Sequence, residues 1–213
     1  MALNMETSAS ARPTEEVVND FALTVATKNG SGSQTSNEVL IRSLFKMGIP
    51  VSGKNIFPSN IKGLPTWYTI RASKDGYLGR LAATHIAVTM NELTAAEDIQ
   101  NLPAGGVCIL PREWNWGRSR SDITYYEVPV KDLLKEAKVE TDFRDRIANM
   151  VYVGACASLF GIPMEIVEQA LLDTFGGKAK PAAMNFAMVQ LAYDWSQANL
   201  VKEDVYRFAP MNE

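Results

Sequence analysis

FALTVA at 21–26, TKNGSGSQTSN at 27–37 and the apolar positions Leu40, Leu44 and Met47 behind them decide the fold. The first run is apolar and rich in branched residues, and its length suits a buried strand. Leu40, Leu44 and Met47 recur at the i, i+4, i+7 spacing of one helix face. Gly48 and then Pro50 supply the stop signals. Strand, glycine loop, helix is the opening unit of a nucleotide-binding fold, with backbone N–H groups gathered at the helix start.

The loop GSGSQT at 30–35 is a partial G-x-G-x-x-G, with Thr35 where a third glycine would stand. Its glycines allow a tight turn and a close approach to an anion such as phosphate. On its own it fits equally a strand–helix turn that holds no ligand. A nicotinamide site also needs an acidic residue about 20 positions on, to hold the ribose hydroxyls. Ser52, Gly53 and Lys54 occupy that region. An NAD-linked oxidoreductase is therefore disfavoured, and a phosphate-bearing ligand helped by Lys28, Lys54 or Lys62 fits better. Lys62 and Gly63 form a second candidate element, because an ammonium beside a glycine meets a phosphate without crowding.

Working outward, residues 51–64 carry Gly53, Pro58 and Gly63 and read as a long loop. Aromatic and branched residues alternate over 66–72, which reads as a strand. Asp75-Gly76 then marks a tight turn, with Tyr77 and Leu78 returning as a short strand. Further buried strands are expected at 86–90, 107–110 and 123–128, and a modest helix at 92–101. Residues 130–200 hold no strand pattern. Helices are expected there up to Phe160, from Pro163 to Phe175, and from Pro181 to Gln197. The expected fold class is α/β: a Rossmann-like open sheet, mostly parallel, with a helical C-terminal third. One domain over 19–205 is flanked by a flexible N-terminal tail, 1–18, and a C-terminal tail, 206–213.

The 213 residues are 46% apolar and 21% charged, enough for a sizeable core and against a disordered chain. The net charge of −3 gives no overall footprint for nucleic acid or an anionic membrane. The longest apolar stretch, 150–164, is too short to cross a bilayer, and the first 18 residues lack a secretory apolar core. A cytoplasmic protein is expected. Cys108 and Cys156 read as small buried hydrophobes. Two cysteines and one histidine cannot by themselves build an iron–sulfur or zinc site. His85 lies at a strand's N-terminal end, away from the strand ends where ligands gather, and reads as structural or exposed. Trp114, Trp116, Arg118 and Arg120 crowd one loop and suit a subunit contact better than a stacked base. Lys178 and Lys180 read as a solvated turn.

Several blocks together resemble the gamma subunit, or gamma domain, of 2-oxoacid:ferredoxin oxidoreductases, in the form that opens the fused subunit of the 2-oxoglutarate enzyme. They are NGSGSQTSN at 29–37, FKMGIPVS at 45–52 and KNIFPSNIKGLPTWY at 54–68. GYLGR at 76–80, VTMN at 88–91, NMVYVGA at 149–155, FGI at 160–162 and the late helix over 182–193 continue the likeness. It covers nearly the whole chain beyond the N-terminal tail, and NIFPSNI at 55–61 is its most specific part.

The resemblance implies an enzyme subunit that is not active alone. Such enzymes convert a 2-oxoacid and coenzyme A to acyl-CoA, carbon dioxide and reduced ferredoxin, or run the carboxylating direction. Thiamine diphosphate with Mg and [4Fe–4S] clusters sit on partner subunits, alpha and beta and in some cases delta, in a hetero-oligomer that serves ferredoxin. This chain would bind none of those cofactors alone; coenzyme A, a substrate, would meet Gly30, Ser31, Gly32, Ser33, Gln34, Asn37, Lys62 and Gly63. The substrate is expected to be 2-oxoglutarate, with pyruvate, branched-chain 2-oxoacids or a purely scaffolding role as alternatives. Neither nucleic acid nor membrane is an expected partner.

Overall fold

The computed structural model describes residues 15–58, 61–116 and 118–211. Most of the expected N-terminal tail, 1–14, lies outside the described residues, as do Gly117 and residues 212–213. In chain order the elements are β1 (Val17–Val18), β2 (Asp20–Lys28), α1 (Ser33–Lys46), β3 (Val51–Ile56), β4 (Pro65–Ser73) and β5 (Ile86–Thr89). They continue with α2 (Ala95–Gln100), β6 (Val107–Pro111), β7 (Thr124–Val128), α3 (Val130–Glu136), α4 (Arg144–Phe160), α5 (Met164–Thr174), α6 (Ala179–Asn199) and β8 (Tyr206–Arg207).

Six strands form one sheet in the order β3-β4-β2-β5-β6-β7. The β2–β5, β5–β6 and β6–β7 pairs are parallel, and β4 runs antiparallel to both its neighbours. The mostly parallel α/β sheet with a helical C-terminal part is thus the architecture. Side-chain alternation splits the strands between two cores. Leu23, Val25, Ile86, Val88, Val107 and Ile109 face a large cluster that takes in α1, α4, α5 and α6. Ala87, Cys108, Leu110 and Tyr125 face a smaller cluster with Ile99 and Leu102 around α2. Strands covered on both faces carry apolar residues at nearly every position, which accounts for the IAVT and VCILP runs, with the buried Thr89 hydroxyl set against Cys108 Sγ at 3.7 Å.

Three expectations need correction. Residues 51–56 are a strand, not loop, paired antiparallel with β4 from Val51–Ala72 to Ile56–Trp67. An edge strand carries polar residues without penalty, so its pattern is weak. Its glycine is there for a close approach: a Cβ at Gly53 would lie 2.0 Å from the Tyr68 hydroxyl. Tyr77 and Leu78 do not return as a strand, because β3 and β2 already flank β4. Instead 77–85 runs irregularly, tied by Ser52 Oγ to the Leu78 carbonyl at 3.0 Å and by a 2.9 Å Thr24–Thr84 hydroxyl contact. The helix expected over 92–101 is confined to α2, because Asn91 takes up the turn before it. Its carbonyl accepts the Thr94 N–H at 3.2 Å and its Oδ1 accepts the Leu93 N–H at 3.2 Å.

Val17–Val18 and Tyr206–Arg207, both placed in tails by the sequence reading, pair in parallel as a small second sheet. Asn19 locks the same corner: its side chain donates to the Ala209 carbonyl at 2.8 Å and accepts the Ala209 N–H at 2.9 Å. Tyr206 and Phe208 are buried beside Phe21 and Phe160.

Candidate functional site

The loop 29–32 leaves the C-terminal end of β2 and feeds α1, where parallel sheets present ligand sites. Gly30 and Gly32 hold φ of 81° and 84°, left-handed values that favour glycine. Gly32 is the cap of α1, and no side chain caps the helix. The first-turn N–H groups of a helix lack intrahelical acceptors and carry the positive end of its dipole. A 14-residue helix beginning in this way is suited to an anion.

The second candidate element folds back onto the first. Asn29 N–H donates to the Leu64 carbonyl at 2.8 Å, and Gly63 N–H donates to the Asn29 carbonyl at 2.9 Å. A Cβ on Gly30 would lie only 2.9 Å from Lys62 Cγ, so the lysine stem lies across that glycine. On the opposite wall stands α4. A cleft of about 320 Å³ opens between them, lined by Lys28, Gly30, Ser31, Lys62 and Gly63 on one side and by Asp145 and Asn149 on the other. Two lysines face one carboxylate there. Arg146 adds a cation nearby, its Cγ 3.2 Å from the Cβ position of Gly32.

Of the sequence-derived site residues, Gly30, Ser31, Lys62 and Gly63 come together in the cleft. Gly32 and Ser33 open α1 beside it; Ser33 is buried, with Oγ accepting from Thr27 Oγ1 at 2.8 Å. Gln34 faces the other way, its Oε1 accepting from Asn55 Nδ2 at 2.7 Å. Asn37 is buried beneath the loop and accepts the Tyr152 hydroxyl at 2.8 Å. Lys28 lines the cleft, whereas Lys54 sits on exposed β3. The α4 wall, Asp145, Ala148 and Asn149, was not foreseen from the sequence; NMVYVGA at 149–155 signalled likeness there but no contact.

A larger hollow, about 410 Å³, lies on the other face of the sheet among Thr69, Arg80, Ala82, Ala83, Glu97 and Asp98. Asp98 accepts from Trp67 Nε1 and Thr94 Oγ1, both at 2.8 Å. Burial nevertheless pushes its carboxyl above the usual carboxylate range. One arginine against two acidic side chains has the wrong balance for phosphate, so charge singles out the smaller, loop-lined cleft. Among the described residues no group of three or more His, Cys, Asp or Glu is placed to hold a metal ion, and no helix is long and apolar enough to cross a membrane.

Residues 22–195 match the family model described as pyruvate ferredoxin/flavodoxin oxidoreductase. The chain belongs to that family. A curated relative, the alpha subunit of 2-oxoacid:ferredoxin oxidoreductase 2 from Aeropyrum pernix, is 22% identical over 217 residues, 83% of this chain and 34% of its own length. The chain therefore spans about a third of that relative. Among solved structures, 2-oxoglutarate:ferredoxin oxidoreductase from Magnetococcus marinus, with 2-oxoglutarate, coenzyme A and succinyl-CoA bound, aligns at TM-score 0.81 and 24% identity. That alignment takes in 92% of this chain and 34% of the other. The gamma subunit of a keto/oxoacid ferredoxin oxidoreductase from Geobacter sulfurreducens aligns at TM-score 0.65 and 15% identity, over 84% of this chain and 99% of its own. The pyruvate oxidoreductase subunit PORC from Thermotoga maritima aligns at 0.61 and 18%, over 82% and 95%. At these identities the structural likeness speaks to the fold, and the family membership rests on the sequence match.

Proposed function

We propose that this chain is a gamma-type subunit of a thiamine diphosphate-dependent 2-oxoacid:ferredoxin oxidoreductase and that its glycine-loop cleft helps to hold coenzyme A. The observation that carries the reading is the convergence of two separated elements, the 29–32 loop and Lys62-Gly63, on one cleft at the start of an uncapped helix. Coenzyme A is rich in phosphate, and helix-start amides with two lysines are the groups that recognise it. The oxoacid served is 2-oxoglutarate, the substrate of the Magnetococcus marinus enzyme, converted to succinyl-CoA and carbon dioxide or formed in the reverse direction.

This chain's own residues bind and orient the thioester-forming substrate. The carbanion chemistry and electron transfer belong to thiamine diphosphate with Mg and to [4Fe–4S] clusters on alpha and beta subunits, with ferredoxin as acceptor. The chain accordingly works in a hetero-oligomer, in the cytoplasm, and has no turnover alone. Calorimetric titration of the full chain with coenzyme A tests the site. Lys62→Ala is expected to weaken binding about tenfold, the loss of one charge-assisted contact. An unchanged affinity would refute the assignment of Lys62 and leave the family intact; a wild-type chain that takes up no coenzyme A would leave a scaffolding role.

A further inference from the structure

The cleft's far wall does more than close it. Asn149 on α4 is buried, and its Nδ2 donates both to the Ser31 carbonyl at 2.8 Å and to the Asp145 carbonyl at 3.0 Å. Three residues on, the Tyr152 hydroxyl donates to Asn37 Oδ1 at 2.8 Å, with the Ser33 carbonyl 3.4 Å away. These bonds join residues 118 and 115 apart in the chain. They bind the glycine loop and the first turns of α1 to the C-terminal helical part.

A trans peptide points its C=O and its N–H in opposite directions. Holding the Ser31 oxygen against α4 therefore also fixes the direction of the Gly32 N–H. Gly32 is the residue least able to fix it alone, since glycine takes positive and negative φ with similar ease. If the Ser31–Gly32 peptide turned over, a carbonyl oxygen would stand where a donor had stood, and attraction for an anion would become repulsion. An amide is needed at position 149 for this. A carboxylate of the same shape would set acceptor against acceptor, and alanine would take from the Ser31 carbonyl the donor that orients it.

We infer that Asn149 is a positioning residue for the ligand loop: by bonding the Ser31 carbonyl it presets the amide donors at the start of α1 before coenzyme A arrives. The inference rests on the assignment of that loop to coenzyme A. Its energetic logic is preorganisation, because a loop already in its binding geometry pays no ordering cost on association. Asn149 does not act as a ligand here; both its N–H groups are already engaged by protein carbonyls.

The test uses the full chain, ¹⁵N-labelled, in two measurements: the Gly32 and Ser33 amide resonances without ligand, and coenzyme A affinity by titration. Asn149→Asp is expected to move the Gly32 resonance in the free protein and to weaken coenzyme A binding about tenfold. Lys62→Ala is expected to weaken binding while leaving the free-state Gly32 resonance in place. If Asn149→Asp fails to fold, Asn149→Ala, which removes the donor without adding charge, takes its place with the same expected direction. Wild-type affinity in a folded Asn149 variant, with Lys62→Ala still impaired, overturns the positioning role and leaves the site intact. A wild-type chain that takes up no coenzyme A ends the site assignment instead. The positioning role falls with it, whereas the loss confined to a folded Asn149 variant tells the two failures apart.

Discussion

His85 shows how one side chain couples the sheet to pH. Its Nδ1 accepts the Ala22 N–H at 3.1 Å, its backbone N–H donates to the Ala22 carbonyl at 2.9 Å, and its ring lies 5.7 Å from that of Tyr206. Burial holds its pKa below the ordinary histidine value; Arg71 pushes it the same way and Asp20 opposes. An imidazolium has no acceptor nitrogen, so protonation removes the bond to Ala22. The stabilisation is complete above the unfolded-state pKa of about 6.5 and is lost as pH falls from there through the lower folded-state value. Urea unfolding at pH values on either side of about 6.5 should therefore show a steeper acid loss of stability in the wild type than in His85→Gln. Parallel pH slopes would show that the folded state does not resist protonation of this ring. The structural reading of His85 was available from its position before a strand. The burial of Asn37 was not, because a polar residue in a loop motif looks like a ligand until the helix that covers it is placed. Tyr152, which binds it, stands 115 residues further on.

Among the elements, the crossing of α4 and α6 controls how the helical part seats against the sheet. Gly154 makes that crossing close: a Cβ there would lie 2.3 Å from the Val189 carbonyl and 2.8 Å from Ala192 Cβ and Tyr193 N. Two helix backbones this near leave no flexible group to yield. Gly154→Ala should gain about 1 kcal/mol of helix propensity and still come out destabilised, by about 2 kcal/mol net, in chemical denaturation. The same change should loosen the Asn149 contact five residues earlier on α4, since both depend on where that helix lies. A neutral or stabilising result would mean that the helices part without cost. Element by element, the strands buried on both faces were legible as apolar runs and the long helices as periodic ones. β3 was not, because an edge strand with Gly53 and Lys54 at its centre carries the composition of a loop. Its pairing with β4 is a fact about neighbours, which no local pattern records.

At the scale of the whole molecule, the two ends of the described chain hold each other. Phe208 is buried at 4% exposure, 4.6 Å from Phe21 between ring centroids and 6.4 Å from Phe160, and its N–H donates to the Phe160 carbonyl at 2.8 Å. Asp204 fixes the approach: it accepts from the Tyr126 hydroxyl at 2.7 Å and from Lys202 at 2.9 Å. Phe208→Ala should cost about 3–5 kcal/mol, the usual toll for emptying an aromatic site in a core. A thermal melt within a degree or two of the wild type would show that the C-terminal segment contributes little. Two-residue strands have no periodicity, so this clasp was illegible in the sequence, where its residues looked like the ends of tails.

The parallel pairing of Val17–Val18 with Tyr206–Arg207 has a consequence for how the chain can be shortened. Parallel strands run the same way, so β8 carries the backbone on past Val18 to the buried Phe208 and then to Met211, whose N–H donates to the Met47 carbonyl at 2.7 Å. Trimming either terminal strand therefore takes away the other's partner, and a shortened chain keeps this clasp only by retaining both 17–18 and 206–211.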